Sequence, residues 1–266
     1  MVILNATPDS FSDGLGGDVD FEHSWKGIAP RLEKAAEAGA ALVDLGAEST
    51  RPGAEPVPAE EEWRRLRPFL KRTRTAFPKL ILSIDTTKAE VFRRAVEEGA
   101  DWLNDVSAGE ASGDETLRIA AQAKCPAVLM HRRGTSATMH ELTDYGDVVA
   151  EVEAHLQNRT ERAIALGIPE TAILWDPGLG FAKTAEQNLQ LIRAVEAWNR
   201  RGKNVLIGAS RKRMIGEITG RPIAERMPGS LGVHLAAAAL GAKILRCHDA
   251  WEFLDAWKGY RAVIAP

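Results

Sequence analysis

The feature that most constrains the fold is a series of eight short apolar runs, each ending in a polar residue and followed by a helix-like stretch. Parallel strands that are buried on both faces give runs of this kind. Eight of them alternating with helices predict a (β/α)8 barrel, which takes about 250 residues. The chain has 266 residues, so we expect a single barrel domain over residues 1–266. The runs end at Asn5, Glu48, Asp85, Asn104 and Asp105, His131, Asp176, Lys212, and Arg246 and His248.

The connections after these runs are longer than those before them. Residues 7–20, 48–58, 132–143 and 211–228 exceed the usual 2–6 residues of a strand-to-helix connection, whereas the helix-to-strand turns stay short. The carboxyl ends of barrel strands share one mouth, and enzymes with this fold carry their active sites there. We therefore expect an enzyme whose site lies at this elaborate end.

Composition excludes several classes of protein. The chain has 34 basic and 37 acidic residues, a formal net charge of -3, which argues against nucleic-acid binding. No apolar stretch approaches the ~20 residues of a membrane span, and no basic segment typical of a signal peptide precedes the first run. We expect a cytoplasmic protein without a membrane partner, although Met1 lies so close to the first strand that a natural leader could be missing.

The sequence also predicts the state of the two cysteines and the positions of several helices. Cys125 and Cys247 lie in predicted strands five and eight, where an isolated cysteine is typically a buried thiol, and no CxxC spacing indicates zinc or a disulfide framework. Thr184 and Gln187 form the sequence signature of a capping box at a helix start. Apolar spacing predicts helices over Glu22–Ala38 and Tyr145–Leu166, and an acidic start with a basic end predicts one over Glu60–Phe77. An apolar helix over Leu231–Leu240 could form an interface or belong to the core.

Asn5 ends the first run, so its amide oxygen should face the mouth, where it could ligate a hard cation such as Mg²⁺. The alternative is that Asn5 only ends the strand and that Asp9 and Ser10 form a turn.

Hydrogen-bonding groups also end runs three, four and six. A carboxylate buried at a strand end is costly unless it is paired or binds something, and Asp85 suits a flat heterocycle with adjacent N–H donors. Asn104 and Asp176 would add hydrogen bonds in the same layer. This trio predicts a slot for a small amide-rich ring; the alternative is a purely structural network in the top layer of the barrel.

Basic residues follow runs seven and eight, where barrels often bind phosphate. Lys212 could stack over a bound ring, donate to it or neutralise a departing anion. Arg246 and His248, two residues apart, should point the same way and bind an anion. His131 has no second histidine at ligand spacing, so we interpret Met130 as a wall of the slot and His131 as its support.

The motifs resemble those of the dihydropteroate synthase family, which has a (β/α)8 barrel. NATPDSFSDG at residues 5–14 and GAESTRPGA at residues 46–54 are similar to the family's NVTPDSFSDG and GGESTRPGA signatures. Six shorter blocks match family motifs in the same order along the chain: SIDT, LNDVSAG, LMH, DPGLGFAKT, GASRK and RCHD. The resemblance therefore extends from the first strand to the eighth.

This resemblance implies transfer of the 7,8-dihydropterin-6-ylmethyl group from its diphosphate to 4-aminobenzoate, with Mg²⁺ as cofactor, in a homodimer. It implies catalytic roles for Asp85, Lys212, Arg246 and His248. By motif match, the pterin would be bound by Asp85, Asn104, Met130, Asp176 and Lys212. Asn5 would contact Mg²⁺ and the diphosphate, and Arg246 and His248 would bind the diphosphate. The aminobenzoate site would be formed by Phe11, Thr50, Arg51, Pro52, Phe181 and Ser210.

Departures from the family pattern are few. Ala6 stands where valine is usual, Arg213 where the family prefers serine, and Cys247 and Ala250 replace a pair of valines. None removes a group that the chemistry needs, although Arg213 could alter how its loop docks.

Three other functions remain open on the sequence. A related barrel binds a reduced pterin for methyl transfer to a corrinoid, but it would not need the SFSDG loop or the paired Arg246 and His248. A catalytically silent barrel could only bind pterin or serve as a scaffold, but a scaffold would have no reason to keep charged groups buried at strand ends. Another phosphate-handling barrel would not explain the polar groups after strands three, four and six.

Overall fold

The computed structural model describes residues 1–6, 21–49 and 54–264. Eight parallel strands form one sheet in the order of the chain, each paired with the next. They are β1 (Val2–Asn5), β2 (Leu42–Gly46), β3 (Ile81–Asp85), β4 (Trp102–Asp105), β5 (Ala127–Met130), β6 (Ile173–Asp176), β7 (Asn204–Ile207) and β8 (Ile244–Leu245).

The sheet closes on itself. Val2 forms a parallel bridge with Cys247, the Ile3 amide donates to the Cys247 carbonyl at 3.1 Å, and the Cys247 amide donates to the Met1 carbonyl at 3.0 Å. The eighth segment therefore pairs with the first. The predicted (β/α)8 barrel is confirmed.

Helices follow the strands in the described part of the chain. They are α1 (Phe21–Ala38), α2 (Ala59–Ala76), α3 (Ala89–Glu97), α4 (Glu115–Ala123), α5 (Val148–Ala165), α6 (Ala185–Arg200), α7 (Arg213–Thr219), α8 (Met227–Ala239) and α9 (Ala250–Ile264). No helix among the described residues combines the length and apolarity needed to cross a membrane.

The caps explain where two of these helices begin. The predicted capping box of α6 is confirmed, because the Thr184 hydroxyl accepts from the Gln187 amide while the Gln187 side chain accepts from the Thr184 amide. Helix α5 begins at Val148 rather than at Tyr145, since the Asp147 carboxylate accepts from the amides of Val149 and Ala150 at 3.0 Å each.

Four sequence expectations were wrong in detail. Residues 211–228, interpreted as one long connection, contain α7, and the apolar helix begins at Met227 rather than Leu231. Cys125 and Cys247 are buried free thiols, as expected, but they lie just outside β5 and β8. Because β8 ends at Leu245, Arg246 and His248 follow the strand instead of continuing it.

The barrel interior has two chemically different layers. Its lower part is filled by Val128, Leu174 and Leu206, against which half-buried Met1, Trp102 and Ile244 pack. Towards the carboxyl ends of the strands the interior becomes polar. Residues two positions apart in a strand point to the same face. Along the inward-facing side of the strands, the apolar residues therefore form a floor, and the polar residues nearer the carboxyl ends lie above it and face the mouth.

Candidate active site

Strand register brings three polar residues, Asn5, Asp85 and Asn104, to one level with Gly46. Asn5 is paired with Gly46, Gly46 with Asp85, and Asp85 with Asn104. A side chain on Gly46 would begin 3.3 Å from the Asp85 Cβ and 3.7 Å from the Asn5 side-chain oxygen. Because Gly46 has no side chain, the side chains of Asn5 and Asp85 on the neighbouring strands have room beside it. Within the described ranges, no hydrogen bond involves the Asn5 side chain.

Arg246 reaches from the end of β8 into this group. Its Nε donates to Asp44 Oδ2 at 2.6 Å and its Nη2 donates to Asp85 Oδ2 at 2.9 Å. Burial raises the pKa of the Asp85 carboxyl to about 7, against the opposing effect of the Arg246 charge. The same two carboxylates raise the pKa of Arg246, which keeps the guanidinium charged.

Asp44 is a functional candidate that the sequence reasoning missed. It is completely buried in the middle of β2. Its Oδ1 accepts from the Ser83 hydroxyl at 2.5 Å, and its Oδ2 accepts from Asn104 Nδ2 at 2.9 Å as well as from Arg246. The available signal was a lone carboxylate between Val43 and Leu45 in an otherwise apolar strand.

Asp176 and Lys212 face the same mouth from the opposite side. Asp176 pairs with Met130 in the register of β5 and β6, and Met130 is buried beside it. Burial raises the pKa of Asp176, opposed chiefly by the Lys212 charge. Burial lowers the pKa of Lys212 to about 8, opposed by Asp176 and by Asp85. The Lys212 ammonium is therefore close enough to both carboxylates to be affected by their charges.

The loop after β6 is held tightly against β5. The Gly178 amide donates to Asp176 Oδ1 at 2.7 Å, and Gly178 has a φ of +67°. A Cβ at this position would lie only 1.9 Å from the His131 carbonyl oxygen, so only glycine fits. The loop then carries Phe181, whose ring centroid lies 5.0 Å from Lys212 Nζ. Lys212 Nζ also donates to the Leu179 carbonyl.

A buried lysine supports this loop from below, and sequence reasoning gave it no role. Lys183 Nζ contacts His131 Nδ1 at 3.0 Å, the Gly178 carbonyl at 3.1 Å and the Phe181 carbonyl at 3.0 Å. Burial lowers the pKa of Lys183 to about 7 and that of His131 to about 2. The neutral His131 ring accepts from Lys183, which supports its interpretation as a structural residue.

His248 lies on the β7 side of the mouth. Its backbone amide donates to Ser210 Oγ at 3.2 Å, and its Nδ1 lies 3.0 Å from the same oxygen. Arg246 instead points towards β2 and β3, so the two residues contact different neighbours. Burial, followed by the charges of Arg246 and Arg211, lowers the pKa of His248 to about 3. His248 is therefore a neutral hydrogen-bonding group at neutral pH.

Two other polar run ends serve the scaffold. Asp105 accepts from Ser107, Gly109 and Thr116 in the connection to α4. Glu48 accepts from Lys88 Nζ at 2.7 Å. Four of the predicted aminobenzoate residues lie outside the described residues: Phe11, Thr50, Arg51 and Pro52.

Comparison with known proteins decides the family. The profile of a family described as "Pterin binding enzyme" matches residues 1–248. A dihydropteroate synthase of Synechocystis sp. is 43% identical over 250 residues, which cover 94% of this chain and 84% of that protein. The chain belongs to the dihydropteroate synthase family of pterin-binding enzymes.

Solved structures of this family have the same fold. A dihydropteroate synthase of Xanthomonas albilineans with 4-aminobenzoic acid superposes with a TM-score of 0.89 at 42% identity, covering 100% of this chain and 92% of that one. The same enzyme in complex with 7,8-dihydropteroate gives a TM-score of 0.85 at 40% identity, covering 100% of this chain and 93% of that one.

Proposed function

We propose that this protein is a dihydropteroate synthase, which transfers the 7,8-dihydropterin-6-ylmethyl group from its diphosphate to 4-aminobenzoate and releases pyrophosphate. The observation that carries the proposal is the convergence of Asp85, Asn104, Asp176 and Lys212 on one barrel mouth in a member of this family. Dihydropteroate synthases that bind 4-aminobenzoic acid and dihydropteroate share the fold across the whole chain.

The pterin ring is assigned to the slot between β3, β4 and β6. Asp85 and Asp176 are buried acceptors for the ring's N–H groups, and a carboxylate accepts a pair of such donors in a bidentate arrangement. Asn104 contributes an amide in the same layer. Met130 lies against the ring face, and Lys212 donates from the opposite side.

The diphosphate is assigned to the rim formed by Asn5, Arg246 and His248. Arg246 is the permanent positive charge there, whereas His248 enters the reaction neutral and donates one N–H. An anion placed beside His248 would raise the pKa of this ring, so the histidine could take up a proton as charge develops on the leaving group.

Mg²⁺ fits this rim as a cofactor held partly by substrate. The described residues contain no group of three or more His, Cys, Asp or Glu side chains that could hold a metal, and Mg²⁺ often binds through substrate phosphates and water with few protein ligands. Asn5 is the proposed protein ligand, since its side-chain oxygen has no hydrogen bond within the described ranges. When bound, Mg²⁺ would neutralise charge on the diphosphate.

The remaining chemistry is electrostatic and positional. As the bond to the diphosphate breaks, positive charge develops on the pterin's exocyclic methylene and into the ring. Buried Asp85 and Asp176 favour that charge. The arylamine nitrogen then forms the new bond to the methylene carbon without a covalent enzyme intermediate, and loses one proton to solvent as pyrophosphate leaves. Phe181 and Ser210 are proposed to orient 4-aminobenzoate together with Phe11, Thr50, Arg51 and Pro52, because orientation is itself a large rate factor.

One incubation tests this function. Purified protein with dihydropterin diphosphate, 4-aminobenzoate and Mg²⁺ should form dihydropteroate and one equivalent of pyrophosphate, measured by mass spectrometry and a coupled phosphate assay. Omission of 4-aminobenzoate is the control. No dihydropteroate from folded protein would contradict the proposal, and methyl transfer from a reduced pterin to a corrinoid would favour the alternative function.

The proposed assembly is a homodimer in the cytoplasm. Ile218 and Ile223 are 52% and 59% exposed near the start of α8, a helix with several half-buried apolar residues. An apolar surface of this kind suits an interface between copies. The two buried free thiols suit a reducing compartment. Light scattering that gives a monomer mass at micromolar concentration would contradict the dimer.

A further inference from the structure

We propose that Asp44 is a positioning residue of this site, which holds the Arg246 guanidinium and orients the Asn104 amide from beneath the substrate. The inference rests on the proposed function, because the two residues that Asp44 holds are assigned to the diphosphate and the pterin. Asp44 itself lies one strand repeat below Gly46, in the layer under the mouth. It is 0% exposed, so it acts through its neighbours.

The first effect concerns the orientation of Asn104. A carboxylate can only accept hydrogen bonds, so the Asn104 atom that faces Asp44 at 2.9 Å must be Nδ2. The Asn104 side-chain oxygen is therefore the atom left to accept from a ligand N–H. Without the Asp44 carboxylate, the amide could turn over and present the wrong group to the pterin.

The second effect concerns which carboxylates accept hydrogen bonds from the Arg246 guanidinium. The guanidinium is a rigid planar fork, and Asp44 takes Nε while Asp85 takes Nη2 through a single oxygen. Asp85 Oδ1 thus stays available to a ligand. If Asp44 could no longer accept from Nε, Arg246 could form a two-point pair with Asp85 and occupy both of its oxygens. By accepting from Arg246 Nε, Asp44 therefore keeps Asp85 Oδ1 available to a ligand.

Asp105 shows what a merely structural carboxylate looks like in this barrel. It is also 0% exposed, and it also accepts several hydrogen bonds. All of these come from Ser107 and Gly109 in the connection after β4 and from Thr116 in the first turn of α4. None comes from a residue assigned to substrate, so Asp105 is the matched control.

The test compares the affinity of Asp44→Asn and Asp105→Asn for 6-hydroxymethylpterin by calorimetry. Asp44→Asn keeps the shape of the side chain but adds an N–H group that faces the donors of Ser83, Asn104 and Arg246. We expect the affinity for the pterin to fall on the order of 100-fold, as when one partner of a buried pair is removed. Asp105→Asn should change affinity by less than about 3-fold, because its hydrogen bonds involve no residue assigned to substrate and only the effect of its charge on Asp85 is lost, even if it melts at a lower temperature. Folded Asp44→Asn that binds the pterin like wild type would overturn the inference.

Ser83→Ala offers a milder perturbation if Asp44→Asn does not fold. It removes one donor to Asp44 without touching Asn104 or Arg246. The pterin affinity should then fall less than about 10-fold, because the two hydrogen bonds that position Asn104 and Arg246 remain. A loss as large as that expected for Asp44→Asn would contradict the positioning argument.

Nuclear magnetic resonance of the wild-type protein gives a readout that does not depend on the folding of Asp44→Asn. The Arg246 Nε–H should give a downfield, slowly exchanging signal, assigned by its disappearance in Arg246→Lys. A random-coil Arg246 signal would refute the anchoring. Wild type that binds pterin but forms no dihydropteroate would overturn only the proposed reaction, whereas an active wild type with an unanchored Arg246 would overturn only this inference.

Discussion

Replacing Asp85 by asparagine should weaken pterin binding strongly without unfolding the barrel. The Asp85 carboxylate offers an anionic acceptor at the end of β3, and Arg246 Nη2 occupies only one of its oxygens. Asparagine keeps the volume but carries no charge and turns one acceptor into a donor. The Arg246 guanidinium would keep its anchor on Asp44, so the variant should fold.

The expected magnitude follows from the hydrogen bonds involved. A hydrogen bond to a charged group contributes about 1.5–3 kcal/mol, and a neutral one about 1 kcal/mol. A pterin that donates to Oδ1 and shares Oδ2 with Arg246 makes two charged bonds, because each carboxylate oxygen can accept twice. Replacing these two bonds by one neutral bond would lose about 2–5 kcal/mol. The pKa of Asp85 is raised to about 7, so at pH 7 only half of the wild type is ionised, which reduces the difference by about 0.4 kcal/mol. We therefore expect a loss of about 3 kcal/mol, on the order of 100-fold in Kd.

Calorimetry with 6-hydroxymethylpterin measures this loss of pterin affinity. The ligand has no diphosphate, so protonation of a leaving group does not affect the result. Because the pKa of Asp85 is raised, wild-type affinity should weaken as the pH falls below about 7, and Asp85→Asn should lack this dependence. Asp101→Asn is the control, since Asp101 also pairs with an arginine, Arg74, but lies before β4 at the other end of the barrel. An Asp85→Asn affinity within about fivefold of wild type would refute the reasoning.

Three further predictions concern the rest of the mouth. Lys212→Ala should lower kcat in a pyrophosphate-release assay by about 100-fold or more, because it removes a charge beside Asp176; full turnover would exclude Lys212 from the site. The pH profile of kcat/KM should rise through about 7 as Asp85 ionises and fall above about 8 as Lys212 loses its proton, and a flat profile from pH 6 to 9 would contradict these roles. Gly178→Ala should destabilise the fold by at least about 2 kcal/mol in urea unfolding, since its Cβ would overlap the His131 carbonyl; unchanged stability would mean that this loop is not fixed.

The fold could be predicted from sequence because its signals are local. Each apolar run is a few residues long, and the capping box of α6 is contained in Thr184–Gln187. Asn5, Asp85, Asn104 and Asp176 could be assigned to the mouth because parallel strands place their carboxyl ends together. The boundaries of β8 and α7 were less predictable, since β8 ends after two residues and α7 lies within a segment rich in loop-like residues.

The role of Asp44 could not be predicted because its partners are remote in the chain. Ser83, Asn104 and Arg246 lie 39, 60 and 202 residues away. No local spacing indicates that one carboxylate serves all three. The same holds for Lys183 and His131, which are separated by 52 residues. Sequence patterns identified groups at the barrel mouth, whereas the buried groups that hydrogen-bond to their neighbourhood emerge only from the folded barrel.

A crystal structure with bound 6-hydroxymethylpterin tests the central claim most directly. We expect the ring at the carboxyl end of the barrel, with its N–H groups within hydrogen-bond distance of Asp85 and Asp176, the Asn104 oxygen facing the ring and Lys212 on the opposite side. A pterin bound elsewhere, or a ring that contacts only one of the two carboxylates, would contradict the account of this site.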